Sequence, residues 1–76
     1  MYPIVTKATP MKPSFLELQF SNGETKMLDV SKYWHSHFFS QLQQWEYFNQ
    51  VQIRNGTVSW PNEQDIAPET IYLDSK

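Results

Sequence analysis

The sequence has no cysteine, only two glycines, 18% charged residues and no long apolar run. Without cysteine there is neither a disulfide framework nor a thiolate metal site. Without a long apolar stretch there is no membrane span and no signal peptide to read, which points to a cytoplasmic protein. The two glycines, Gly23 and Gly56, leave no glycine-rich phosphate loop. No serine stands in a nucleophile-elbow pattern, and no cofactor is implied. A net charge of −2 is far from the clustered Lys and Arg that autonomous nucleic-acid binding needs. Direct nucleic-acid binding by this chain alone is therefore not expected.

The length of 76 residues makes residues 1–76 one small domain. A chain this short hides only about 60–65% of its unfolded surface, so its core is thin. A ligand pocket of ~300 Å³ is hard to carve from so little material. Aromatics, at 16%, supply large apolar areas to such a core. Charge is mildly polarised: residues 1–43 carry a net +1 and residues 44–76 a net −3. The acidic end suits a basic partner, and equally a solvated surface.

The segments Phe15 to Val30 and Val51 to Trp60 each read as strand, Asn-Gly, strand. Asn-Gly is the strongest short-range hairpin signal, because a two-residue type I′ turn needs φ > 0 at both central positions. With such a turn at Asn22-Gly23, Leu18 faces Met27 and Leu16 faces Asp29. Leu16, Leu18, Phe20 and Met27 then share the inward face, and Leu28 is the odd member on the other. Either Leu28 is exposed, or a bulge shifts the register and turns Leu28 and Val30 inward. In the second hairpin, Val51, Ile53, Val58 and Trp60 face inward, while Gln52, Arg54, Thr57 and Ser59 face solvent. Ahead of both, Ile4-Val5-Thr6 lies between prolines and reads as an edge strand at best.

Between the hairpins, Ser31 to Gln50 has no Gly or Pro. Phe38, Leu42 and Trp45 fall at i, i+4, i+7, joined by Phe39, which predicts one or two helical segments within 36–49. Ser36 is the expected N-cap. After Trp60-Pro61 the chain is loop-like, with a helical turn from about Pro68 and Ile66, Ile71 and Tyr72 as anchors. The order predicts an α+β fold: a small, meander-like antiparallel sheet built on two β-hairpins, with one or two short helices on one face.

His35-x-His37 is the one histidine cluster. Two imidazoles at i, i+2 share a metal only from an extended segment, and no third ligand stands at a supporting spacing. Partly exposed histidines at a helix start are the plainer reading, and no metal or catalytic residue is assigned. The aromatics offer a better lead. Phe38, Phe39 and Phe48 are expected to fill the core. Tyr33, Trp34, Trp45 and Tyr47 exceed what one helix-on-sheet layer buries, and Trp and Tyr concentrate at binding hot spots. Trp45 reads as core, and Trp34 as core or contact. The candidate partner contacts are Tyr33, Trp34, Glu63, Asp65 and Glu69.

Ser21-Asn-Gly-Glu24, Phe38-Phe39-x-x-Leu42, Phe48-x-x-Val51 and Trp60-Pro61-Asn62-x-x-Asp65-Ile66-x-Pro68-x-x-x-Tyr72 together carry a resemblance. The chain resembles, from about Ile4 to Tyr72, the bacterial family catalogued as domain of unknown function 2442, related to the N-terminal domain of a Nitrosomonas hypothetical protein. The resemblance implies an α+β domain with a meander-like sheet and short helices. It also implies genes set beside another small protein in arrangements that look like toxin–antitoxin pairs, and in other members a C-terminal helix-turn-helix. Many relatives have Asp-Pro where this chain has Gln43-Gln44, so a continuous helix is open here. The expected function is a non-enzymatic protein-interaction module, an antitoxin-like or regulatory partner of another small protein, with a homodimer through Ile4–Thr6 or Trp34 also open. The alternatives are an accessory domain in transcriptional regulation without its own helix-turn-helix and, behind it, a metal-dependent hydrolase using His35 and His37.

Overall fold

The computed structural model describes residues 2–76. Its elements run β1 (Val5–Met11), β2 (Phe15–Phe20), β3 (Thr25–Asp29), a 3-10 turn (Val30–Lys32), a 3-10 helix (His37–Gln43), α1 (Trp45–Phe48), β4 (Gln52–Arg54), β5 (Thr57–Ser59) and α2 (Pro68–Asp74). β1, β2 and β3 form one antiparallel sheet in that order, and β4 and β5 a second. The fold is α+β, as the sequence pattern predicts.

Two of the turns obey different rules, and the difference sets which residues are core. At Asn55-Gly56 both residues have positive φ, +54° and +78°, so a two-residue turn pairs Arg54 with Thr57, Ile53 with Val58 and Gln52 with Ser59 as expected. At the first hairpin only Gly23 is left-handed, at φ +92°. The Gly23 N–H donates to the Phe20 carbonyl and the Phe20 N–H to the Glu24 carbonyl, both at 2.9 Å. The loop is therefore Ser21-Asn22-Gly23, three residues ending on a glycine bulge. One extra loop residue slips the register by one, so Leu16 pairs with Leu28, Leu18 with Lys26 and Glu17 with Met27. Met27 moves to the outer face, and Leu28 and Val30 become fully buried. Of the two registers the sequence leaves open, this is the bulged one.

Lys26 consequently lies on the inner face, at its end. Its Nζ sits 3.8 Å from the Tyr72 ring centroid and donates to the Tyr72 carbonyl at 3.0 Å. The Tyr72 ring also meets Phe20 edge-on at 5.1 Å, so α2 closes this end of the core. Beyond α2 the chain returns to β3, where Met27 and Lys76 exchange both backbone hydrogen bonds (3.0 and 2.8 Å).

β1 is longer than the prolines suggested: it spans seven residues and includes Pro10, which an edge strand tolerates. The expected free edge at Ile4–Thr6 is partly taken, since the Val5 N–H donates to the Gly56 carbonyl at 2.9 Å. That bond ties the second hairpin to the first sheet.

The second hairpin is not packed on one side only. β5 is buried throughout, including Thr57 and Ser59, while β4 is exposed throughout, including Ile53. The cause is a further strand-like segment. Ser59 bridges to Asp65, and the Thr57 hydroxyl donates to the Ile66 carbonyl, so β5 is central and β4 is an edge. Ile66 and Ile71 anchor this region in the core, as expected.

The middle segment is mostly 3-10. Ser36 is extended, as an N-cap should be, but its side chain makes no cap hydrogen bond, and Gln44, extended at φ −94°, ψ 119°, separates the two helical pieces. A 3-10 helix repeats every three residues, so side chains at i and i+3 line up. From the 3-10 helix Phe39 and Leu42 accordingly face inward, and beyond the break Trp45 and Phe48 do so from α1; all four are fully or partly buried in the core cluster. Phe38, expected in the core from an α-helical period, is instead 53% exposed.

Candidate functional site

Residues chosen from sequence as partner contacts lie in three places. The Tyr33 hydroxyl donates to the Asp74 carboxylate at 2.7 Å, and burial, then that carboxylate, pushes its phenol pKa up. It straps the 3-10 region to the end of α2. Trp34 is half-buried and packs against the core. Glu63 and Asp65 share a shallow cleft of about 190 Å³ with Arg54, Asn55 and Ser59. Glu69 is exposed in the first turn of α2, where a carboxylate suits the helix dipole. The structure thus brings Glu63 and Asp65 together and disperses the others. His35 and His37 are exposed, and among the described residues no three His, Cys, Asp or Glu side chains cluster with metal-ligand geometry. Likewise among these residues, no helix is long and apolar enough to cross a membrane.

A different surface is built with more care. Trp60-Pro61-Asn62-Glu63-Gln64 repeats the first turn's geometry: the Glu63 N–H donates to the Trp60 carbonyl and the Trp60 N–H to the Gln64 carbonyl, both at 2.9 Å. Glu63, at φ +67°, occupies the place Gly23 holds in the first turn. This turn presses Gln64 inward to 1% exposure. The Trp60 indole N–H donates to the Phe48 carbonyl at 2.8 Å, deep in the core.

Gln64 is buried and polar, so each of its hydrogen bonds must be found. Its amide nitrogen donates to the Phe38 carbonyl and to Gln41 Oε1, both at 3.0 Å. Its oxygen accepts from the Tyr47 hydroxyl, which itself accepts from the Asn62 backbone N–H at 2.8 Å. Asn62 Nδ2 also donates to Gln41 Oε1, at 2.8 Å. The polarity of the chain is fixed by its ends. A backbone carbonyl only accepts and a backbone N–H only donates, so the Gln64 NH₂ must face Phe38 and the Tyr47 proton must face Gln64. Gln41 Oε1 then receives two donors, and its NH₂ must turn the other way.

Outside this knot is a shallow depression of about 270 Å³, lined by His37, Phe38, Ser40, Gln41, Asn62 and Gln64. An exposed phenyl ring stands beside the Gln41 amide, which Gln64 bonds from within, and the Asn62 amide, which bonds Gln41. A three-residue apolar period would have signalled Phe38 as the residue left outside. Gln64 gave no signal, because a glutamine in a loop reads as solvated.

The profile of a family described as protein of unknown function, DUF2442, matches residues 5–76. The chain belongs to the DUF2442 family. The match covers nearly all of it, including the Trp60–Tyr72 segment that shapes the cleft. The break at Gln44 shows that the middle segment of this DUF2442 chain is not one continuous helix. Comparison with curated proteins found no match, nor did comparison with solved structures.

Proposed function

We propose that this chain is a non-enzymatic interaction module, an antitoxin-like or regulatory partner of another small protein, and that it holds that partner at the Phe38 cleft. The observation that carries this reading is the 53% exposure of Phe38 beside amides fixed by a buried glutamine. An apolar ring in a rigid polar rim is the form of a binding hot spot. The aromatic series Tyr33–Phe39–Phe38, with centroids 6.0 and 5.1 Å apart, extends the apolar area from the cleft toward α2. The antitoxin-like part of the reading draws support from the gene arrangements that the family resemblance implies.

Affinity purification of the tagged chain from its native host is the test. Wild type is expected to retain one small protein in stoichiometric amount, and Phe38→Ala to lose it. Recovery of nothing specific, or equal recovery by Phe38→Ala, would overturn the reading.

A further inference from the structure

Asn22 and Asn55 are both exposed, and each is followed by glycine. Glycine has no side chain to crowd its nitrogen as that nitrogen approaches the asparagine amide carbon. Asn49 and Asn62 are followed by Gln50 and Glu63 instead. Exposure and sequence therefore single out two sites equally, and the fold separates them.

At Asn22-Gly23 the reacting atoms are held. The Gly23 N–H donates to the Phe20 carbonyl at 2.9 Å. Asn22 Nδ2 donates to Glu24 Oε1 at 2.6 Å, and Asn22 Oδ1 accepts from the Glu24 N–H at 3.1 Å. At Asn55-Gly56, neither the Gly56 N–H nor the Asn55 side-chain amide has a protein partner among the described residues. The bonds that hold this hairpin run through other peptides: the Gly56 carbonyl takes the Val5 N–H, and strand pairing starts at Arg54 and Thr57. The peptide joining Asn55 to Gly56 is free to turn over by itself.

That rotation has a destination. It converts the type I′ turn into type II′, the other two-residue turn that suits a hairpin, and leaves the flanking strands in place. Asn55 keeps its positive φ while its ψ swings to roughly −120°. At that ψ the Gly56 nitrogen eclipses the Asn55 β-carbon and comes within five-membered-ring reach of Cγ. In the first turn the same rotation would break the Gly23–Phe20 bond.

We infer that Asn55 is a self-modification site, at which the chain converts asparagine into isoaspartate and aspartate without an enzyme, and that the fold protects Asn22 from the same reaction. The Gly56 nitrogen gives up its proton to base and attacks Asn55 Cγ. The N–Cγ bond forms, the Cγ–Nδ2 bond breaks, and ammonia departs with a proton returned from solvent, leaving a cyclic imide. Water then opens the imide. Cleavage between the Gly56 nitrogen and Cγ gives aspartate; cleavage between that nitrogen and the Asn55 backbone carbonyl gives isoaspartate, whose main chain runs through Cβ. Either product adds a carboxylate to the cleft that Asn55 lines with Arg54, Glu63 and Asp65, so one cation there faces three anions in place of two. This inference is independent of the partner at Phe38.

Peptide mapping by mass spectrometry tests it on the intact chain, held at mildly alkaline pH both folded and in urea. In the folded chain, isoaspartate and aspartate are expected to accumulate at position 55 at least roughly tenfold faster than at position 22, the factor that the bonds held at Asn22 and Gly23 bring at ordinary strength. In urea those bonds are gone, and the two rates should approach each other. The folded chain should also yield a more strongly retained form on anion exchange, with its added charge mapping to position 55. Equal rates in the folded chain, faster change at Asn22, or a tenfold ratio that persists in urea would each overturn the assignment.

Discussion

Gly56 lies directly beneath Ile4: a β-carbon at position 56 would stand 2.9 Å from Ile4 Cγ2 and 3.1 Å from Ile4 Cβ. The same atom at Gly23 would meet nothing within 4 Å. Both glycines have positive φ, so both resist a side chain through the backbone, but only Gly56 also resists it through packing. Gly23→Ala is expected to cost about 1 kcal/mol. Gly56→Ala should cost about 2–3 kcal/mol, because it also pushes β1 off the second hairpin. Urea denaturation of the two variants measures the difference.

Glu63 offers the converse experiment. It holds a left-handed conformation at φ +67° in a turn whose counterpart uses glycine. Glu63→Gly is expected to stabilise the fold by about 0.5–1 kcal/mol, since relief of the left-handed strain exceeds the added chain entropy. A loss of stability in urea would show that the Glu63 side chain itself supports the turn.

Gln64→Leu keeps the apolar bulk but strands the Phe38 carbonyl and the Tyr47 hydroxyl. The expected cost is about 2–4 kcal/mol. Gln64→Glu should be nearly as damaging at neutral pH, because a carboxylate cannot donate to a carbonyl. Part of its loss should return on acidification, as the buried carboxyl takes up a proton. The gap between this variant and wild type is read by thermal denaturation at pH 7 and pH 5.

Much of this arrangement was legible in advance. Asn55-Gly56 announced its own turn type and register, and Ile66, Ile71 and Pro68 announced the closing helix. The first hairpin was half legible: Asn-Gly gave its position, but whether Asn22 or only Gly23 goes left-handed depends on hydrogen bonds the dipeptide does not encode. The 3-10 helix was not legible, because Phe38 and Phe39 are adjacent and a period of 3.0 or 3.6 residues selects a different one for the core. The cleft followed from that choice. Ile53 is exposed although alternation places it inward, because alternation gives the face of a strand but not whether anything covers it.

One contact bears on both ends of the pH range: the Tyr72–Glu24 hydrogen bond lowers the pKa of the carboxyl and raises that of the phenol. For Glu24, the Tyr72 hydroxyl and then the Asn22 amide hold the carboxyl below its ordinary 4.5. Its contribution is complete above that value and is lost as pH falls through the lower folded one. Asp29 behaves the same way, held down first by the Ser31 hydroxyl. For Tyr33 the folded pKa is raised above the ordinary 10.0, so its contribution is complete below pH 10 and is lost as pH rises beyond it. Tyr33→Phe is therefore expected to flatten the alkaline side of a stability–pH curve, and Tyr72→Phe, because the Tyr72 phenol is itself raised by Glu24, both sides. Urea midpoints from pH 3 to pH 11 supply that curve.

The most direct measurement is a photo-crosslink made inside the native host, with a benzophenone side chain in place of Phe38 in one strain and of Ile53 in another. Both positions are exposed apolar residues, at 53% and 42%, on separate parts of the surface. A single small protein captured from position 38 and not from position 53 is the predicted result. No capture at 38, or the same capture at both, would contradict the account.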